Sequence, residues 1–379
     1  MMIKSILLIT PNYPIEGDPV FPFVKNLCDE YAKRGINIIV IAPQSITSSL
    51  LHRKNYRPFV RKESVNGNNV TIYQPYTITP LHKFLHAYNY LIRQSVILFL
   101  KRTKLKADVC YCHFWCSAYW VMPYMKKNEI PVFVASGESE IRNLLSTDRQ
   151  YPDFEKYVKG VICVSSKNLK ESIELGYTQK ERCIVLPNAV NPSIFKKLDK
   201  SECRRQLGFP QDVFIVAFVG WFIERKGPER VAKAIEAIGN VKSIFIGKGN
   251  QEPKCEGILF KGPLSHEEVP LYLGAADCFV LPTLHEGCCN AVVEAMACGL
   301  PVISSNLPFN WDVLDESNSI MVDPNNIDEI AETIKELRDN PDKRELLSIG
   351  ALKRAESLSI DQRAGKIIDF MMNMLHLRQ

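Results

Sequence analysis

From one end to the other the chain alternates short apolar runs rich in β-branched residues with amphipathic stretches. In the first half the runs fall at 4–10, 37–42, 70–73, 109–112, 132–135 and 161–164. Helical patterns lie between them, such as PFVKNLCDEYAKRG, which Gly35 closes as a C-cap. Runs apolar on both faces and separated by helices call for a parallel sheet covered on both sides. The first half therefore reads as one doubly wound α/β domain. The pattern restarts after LPNAVNPSIFKKLDKSECRRQLGFP, with runs at 214–219, 242–247, 278–281 and 301–304. Helices are predicted at 228–238 and 291–297, and Ser265 with Glu268 has the capping-box spacing that opens another, ending near Gly274. The predicted organisation is a Rossmann-like domain over 1–190, a second over 191–360, and a terminal helix over 361–379. In that last segment Ile367, Ile368, Met371, Met372 and Leu375 fall at helical spacing. No sequence-level repeat links the halves.

A chain of 379 residues, 46% hydrophobic and 23% charged, can bury two cores without disulfide or structural metal. Its twelve cysteines form neither a spaced framework nor a CxxC pair, and several sit inside apolar runs, which suits a reducing, cytoplasmic setting. MMIKSILLITPNYP reads as a first buried strand and not as a signal peptide, and no apolar run approaches the ~18 residues that span a bilayer.

The net charge of +5 hides an asymmetry. Residues 1–190 hold 25 Lys and Arg against 15 Asp and Glu, whereas the remainder holds 22 against 27. Basic residues cluster at 52–62 and 101–106, close to the apolar stretch YNYLIRQSVILFL. That combination suits an anionic substrate or peripheral contact with the inner face of an anionic membrane. No helix-turn-helix, zinc-ligand spacing or aromatic RNA-binding pattern accompanies it, so no nucleic-acid partner is expected.

Two segments carry chemistry. VGWFIERKG follows a predicted strand and precedes a helix, which sets Arg225 and Lys226 beside a helix N-terminus that already favours an anion. An arginine fork next to a lysine point charge matches a diphosphate. About sixty residues on, HEGCCNAVVEAMACGLPVI places Glu286 in a loop and Glu294 in the first turns of a helix. Carboxylates so placed can hydrogen-bond vicinal hydroxyls, and Gly287 with the amides near Asn290 and Ala291 can donate to a phosphate or a sugar.

With both segments in register, the chain resembles a GT-B retaining glycosyltransferase of family 4, the group 1 type, over nearly its whole length. The matching residues are Gly220, Arg225 with Lys226, Glu286, Glu294, and the CGLPV run from Cys298 to Val302. LPNAVNPSIF resembles the family's interdomain segment, with Ala189 and Asn191 replacing its Gly and Asp. The resemblance implies two Rossmann-like domains facing across a cleft, with the terminal helix crossing back to the first. It also implies roles. Arg225 and Lys226 neutralise the donor diphosphate, Glu294 holds the ribose, and Glu286 contacts the transferred sugar. Gly247 and Lys261 lie in segments that border the nucleobase, and Gly17 lies in a loop that approaches the phosphates. Gly137 stands where the family has a histidine, so Glu138 and His113 become the candidates to orient the acceptor hydroxyl.

Departure of a sugar from a nucleotide leaves negative charge on the diphosphate, so stabilising the leaving group dominates catalysis. No DxD motif occurs, so the expectation is a metal-independent enzyme without a cofactor, Arg225 and Lys226 supplying the charge. Their loss is expected to lower turnover with little effect on stability. The resemblance implies retained configuration, a nucleotide-diphosphate donor (UDP-sugars being the commonest among relatives) and a glycan or lipid-linked acceptor in cell-surface polysaccharide synthesis. Transfer is expected to be of the hexosyl or N-acetylhexosaminyl class. A nucleotide-sugar epimerase of the same fold and a catalytically silent partner subunit are the alternatives. A dehydrogenase is discounted because Gly247-Lys248-Gly249-Asn250-Gln251-Glu252 lacks the third glycine of a dinucleotide fingerprint.

Overall fold

A computed structural model of the chain describes residues 2–15, 20–51, 57–79, 85–141 and 154–376. Contacts divide the chain into two units, residues 1–186 with 364–379, and residues 187–363. The expected borders were 190 and 360.

The first unit is built on an eight-stranded sheet. Its spatial order is Cys183–Val185, Val158–Cys163, Val132–Ser136, Val109–His113, Ser5–Ile9, Asn37–Ile41, Asn68–Tyr73 and Val60–Val65. Six of its pairings are parallel, as runs apolar on both faces require. The edge strand Val60–Val65 departs from this plan and runs antiparallel to Asn68–Tyr73. It returns through Asn66 and Gly67, both at positive φ (49° and 80°), the backbone of a tight two-residue hairpin. Part of the basic cluster predicted at 52–62 is thus an edge strand with charged side chains, which discourages edge pairing. Residues 52–56 lie outside the described residues.

Helices Leu85–Thr103 and Trp115–Lys127 cover one face of this sheet, sharing a core that includes Ile92, Val96, Leu100, Trp120 and Met125. The terminal helix Ile360–His376 joins the first unit from residue 364 onward. It buries Ala364, Ile367, Met371 and Met374, whereas Ile368, Met372 and Leu375 are only half-buried, so its apolar stripe is rotated from the one predicted. Phe370 packs edge-on against Phe133 at 6.4 Å, and the bare backbone of Gly160 makes room, since a Cβ there would lie 2.9 Å from the Phe370 ring.

The second unit holds a six-stranded, wholly parallel sheet. Its order is Ile258–Gly262, Val241–Ile246, Phe214–Val219, Cys278–Leu281, Val302–Ser305 and Ser319–Val322. A buried ion pair fixes the amino end of its centre. Asp277 accepts from Arg204 of helix Lys200–Leu207 at 2.7 Å and from the Ile215 N–H at 2.8 Å. Strands Phe214–Val219 and Cys278–Leu281 are adjacent and parallel, so the loops that follow them leave the same edge side by side.

Candidate active site

Those two loops carry the site. After Val219 the chain makes a 3₁₀ turn, Glu224–Lys226, and enters helix Pro228–Ile238 through Gly227, whose φ of 75° suits glycine. After Leu281 it runs to helix Asn290–Ala297, whose N-terminus carries no side-chain cap. The loops meet at one oxygen. Glu286 Oε1 is 2.5 Å from an Arg225 guanidinium nitrogen and 2.6 Å from Lys226 Nζ. Arg225 also donates to the His285 carbonyl. Thr283 Oγ1 lies 3.2 Å from both Glu286 Oε1 and the Arg225 carbonyl, which accepts the Leu284 N–H at 2.8 Å. Behind the turn, Arg230 pairs with Glu224 at 2.7 Å and donates to the Pro282 carbonyl at 2.9 Å, clamping the loops together.

Lys226 is buried at 9% exposure. Burial acts to lower its pKa, but Cys289 and then Glu286 outweigh it, and the pKa stands above the usual lysine value. Burial pushes the Cys289 thiol up, so at neutral pH the sulfur 3.8 Å from Lys226 Nζ keeps its proton and Glu286 is the counter-charge. The Lys226 stem passes beside Gly220, where a Cβ would lie 3.6 Å from Lys226 Cδ. Gly247 and Gly249 are required by a closer approach. A Cβ on Gly247 would come within 1.9 Å of the Gly220 carbonyl oxygen, and one on Gly249 within 2.1 Å of that of Phe222.

Glu294 lies one helical turn inside Asn290–Ala297. Its Oε1 is 3.0 Å from His266 Nε2, and the His266 ring packs against Phe195 at 4.8 Å. Burial works to lower the His266 pKa, but the bond to Glu294 and its charge raise it overall. His266, Arg230 and Thr283 were not singled out in the sequence. Only the close spacing of Thr283 to Glu286 gave a local signal. Asn290 and Ala291 open the uncapped helix, and Asn290 Oδ1 is buried with no partner among the described residues.

The other candidates fall elsewhere. Lys261, on Ile258–Gly262, pairs with Glu252 at 3.0 Å, and its neighbour Gly262 reaches the site, its carbonyl accepting the Gly247 N–H. Gly17 lies outside the described residues. In the first unit His113 ends strand Val109–His113 and Glu138 follows its parallel neighbour Val132–Ser136. His113 is buried between Phe23 and Phe114, at 5.2 and 4.5 Å between ring centres. Glu138 Oε1 accepts the Trp115 N–H at the start of helix Trp115–Lys127 at 2.7 Å, and Oε2 accepts the Gly137 N–H at 2.9 Å. Burial nevertheless pushes its pKa up to about 7, against these bonds. Gly137 itself is crowded, since a Cβ there would lie 3.2 Å from Val164.

Two doubly wound, mainly parallel sheets of this kind are shared with solved GT-B proteins. Sucrose-phosphate synthase from Thermosynechococcus elongatus superposes with a TM-score of 0.79 at 17% identity, covering 99% of this chain and 100% of that one. Anabaena HepE in complex with UDP-glucose gives 0.72 at 16% identity, covering 97% and 99%. In sequence, residues 22–194 match the profile of Glycosyltransferase Family 4 and residues 199–354 that of Glycosyl transferases group 1. A relative from Bacillus subtilis, TuaC, described as a candidate teichuronic acid biosynthesis glycosyltransferase, is 27% identical over 347 residues, 87% of this chain and 88% of its own. The lipopolysaccharide core biosynthesis glycosyltransferase LpsD of Rhizobium meliloti is 27% identical over 53% of this chain and 60% of its own. The protein belongs to the group 1 glycosyltransferases of the family 4 type, with the GT-B fold.

The buried pair alters the expected mutational outcome. Glu286→Ala leaves Lys226 buried without its carboxylate and should cost about 3 kcal/mol of stability, read from urea denaturation. Adding Lys226→Met should restore much of that loss. An unchanged midpoint in Glu286→Ala would contradict the pairing. Lys226→Ala, expected from sequence to leave stability unchanged, should also destabilise by removing one of the two cations on Glu286.

Glu138 gives a pH signature. Its pKa is raised on folding, so the stability it contributes is full below the ordinary value of 4.5 and is lost as pH rises through about 7. Wild type should therefore lose thermal stability between those values relative to Glu138→Gln. Parallel pH profiles for the two would contradict the raised pKa.

Proposed function

We propose that the protein transfers a sugar, with retention of configuration, from a nucleotide-diphosphate donor to a glycan or lipid-linked acceptor in cell-surface polysaccharide synthesis. The observation that carries this reading is the convergence of Arg225 and Lys226 on one Glu286 oxygen beside an uncapped helix N-terminus. A carboxylate between two cations occupies the electrostatic position of a phosphate. The donor diphosphate takes that place, the Arg225 fork and the Lys226 ammonium bind its oxygens, and Glu286 is released to accept hydroxyls of the sugar. As the glycosidic bond breaks, charge grows on groups already aligned to receive it, so little reorganisation is needed. Glu294, held by His266, binds the ribose hydroxyls.

A UDP-sugar is the donor of choice in this reading, in keeping with the UDP-glucose named for the Anabaena neighbour. The teichuronic acid and lipopolysaccharide core roles named for TuaC and LpsD support a cell-surface glycan product, and in this reading the group transferred is hexosyl or N-acetylhexosaminyl. The reading needs no metal clamp, since two cations carry the compensating charge, and it sets the enzyme in the cytoplasm. In the first unit Glu138, beside His113, is the group that orients the acceptor hydroxyl.

A thermal-shift panel of nucleotide sugars, with and without EDTA, tests this directly. A matching donor should raise the melting temperature in a concentration-dependent way. Turnover should survive EDTA, and proton NMR of the product should show the donor's anomeric configuration. No shift with any nucleotide sugar, or activity lost in EDTA and restored by Mg²⁺ or Mn²⁺, would overturn the reading. Conversion of the donor's own sugar without an acceptor would favour an epimerase.

A further inference from the structure

The described residues of the first unit contain a groove of about 1240 Å³ that the donor chemistry does not use. It lies at the amino-terminal edge of the sheet. Asp108, on its wall, immediately precedes strand Val109–His113, and Asp108 Oδ2 accepts from the N–H groups of Lys4 and Ser5 at the start of the neighbouring strand. His113, at the far end of the same strand, marks the opposite edge. A five-residue strand separates the two by about 16 Å.

The groove's lining is strongly one-sided in charge. Arg93, Lys101, Lys104, Lys106 and Lys127 contribute five cations, against the carboxylates of Asp108 and Glu129. Asp108 is already engaged by two N–H groups and the Ser5 hydroxyl at 2.8, 2.8 and 3.0 Å. Lysines in the last turns of helices Leu85–Thr103 and Trp115–Lys127 also favour the helix dipoles, but that accounts neither for the concavity nor for its apolar floor of Ile97, Leu105 and Tyr124. Along the same helix Tyr90, Leu91 and Leu98 stand exposed, at 49%, 39% and 49%. Among the described residues no helix is long and apolar enough to cross a membrane. A cationic rim over an apolar floor, continued by an apolar stripe, is complementary to an anionic head that carries hydrocarbon.

We propose that this groove seats the phosphate and upper acyl chain of an anionic phospholipid, docking the first unit on a bilayer by its amino-terminal edge. The ammonium groups bind the phosphate, the floor covers the first methylenes, and Tyr90, Leu91 and Leu98 enter the headgroup layer. The edge that bears His113 and Glu138 stays open. The expected peripheral membrane contact is thus assigned to the end of the sheet opposite the candidate acceptor residues.

The test uses the full chain and vesicles of phosphatidylcholine, alone or mixed with phosphatidylglycerol, at low salt. Wild type should sediment with the mixed vesicles only, and added salt should weaken this by screening. Lys101→Glu with Lys104→Glu and Lys127→Glu should lower the partition by about tenfold or more, given the attraction each cation contributes near an anionic surface. A control with the same charge change on exposed lysines of the second unit, Lys233→Glu with Lys335→Glu and Lys353→Glu, should change it far less. Ile97→Trp, which fills the floor without altering charge, should lower it severalfold while the melting temperature holds. Equal losses in groove and control triples, equal binding to neutral vesicles, or an unaffected Ile97→Trp would overturn the proposal. So would binding of soluble glycerol phosphate or an acidic peptide without vesicle binding. Donor-induced thermal shifts should persist in every variant, so failure here leaves the donor reading standing.

Discussion

One carboxylate oxygen, Glu286 Oε1, holds together two loops whose contacting residues are 61 apart in sequence. Without it a buried ammonium and a half-exposed guanidinium would face each other across a turn with only their repulsion between them. The contact is possible because Phe214–Val219 and Cys278–Leu281 are parallel neighbours, so their following loops emerge together. Arg230 and Thr283 then set the height of one loop on the other. On the proposed reading the energetic logic is that of a preorganised anion site. The protein meets the cost of gathering two cations during folding, using its own carboxylate as the resident anion.

The first unit solves a related problem differently. Helix Trp115–Lys127 begins without a capping side chain at Phe114, and Glu138, from the next strand's end, accepts its first N–H instead. A carboxylate at a helix N-terminus is favoured by the dipole, yet burial here raises its pKa to about 7. The crowding of Gly137 by Val164 and Phe114 explains why a large side chain does not fit at that strand end. The neighbouring Glu138 and His113 are ionisable groups at this edge.

Much of this was legible in the sequence, and the exceptions have a common cause. Strands Phe214–Val219 and Cys278–Leu281 and helix Pro228–Ile238 occupy their predicted residues, because central strands read as continuous apolar runs and Gly227-Pro228 marks a helix start. The strands passed over, Val60–Val65, Ile258–Gly262, Ser319–Val322 and Cys183–Val185, all lie at sheet edges. Edge strands are covered less, and their apolar stretches, such as Ile184-Val185 and Ile320-Met321-Val322, are short, while Val60–Val65 has none. For Val60–Val65 the Asn66-Gly67 pair was the available signal. At the site, Arg225, Lys226 and Glu286 were found as residue types in loops, but not that the glutamate pairs with the cations. That contact depends on which strands are neighbours, and local pattern does not encode it. His266 was invisible for the same reason, since its partner Glu294 is 28 residues away.

The central claim is that Arg225 and Lys226 form a diphosphate cradle held open by Glu286. Calorimetric titration of UDP and UMP into wild type and the Arg225→Met/Lys226→Met double variant tests it most directly, because the two ligands differ only in the second phosphate. Charge-assisted bonds to that phosphate should make UDP bind wild type about ten- to a hundredfold tighter than UMP. In the double variant that preference should collapse while UMP affinity changes little. A UDP preference that survives loss of both cations would contradict the account.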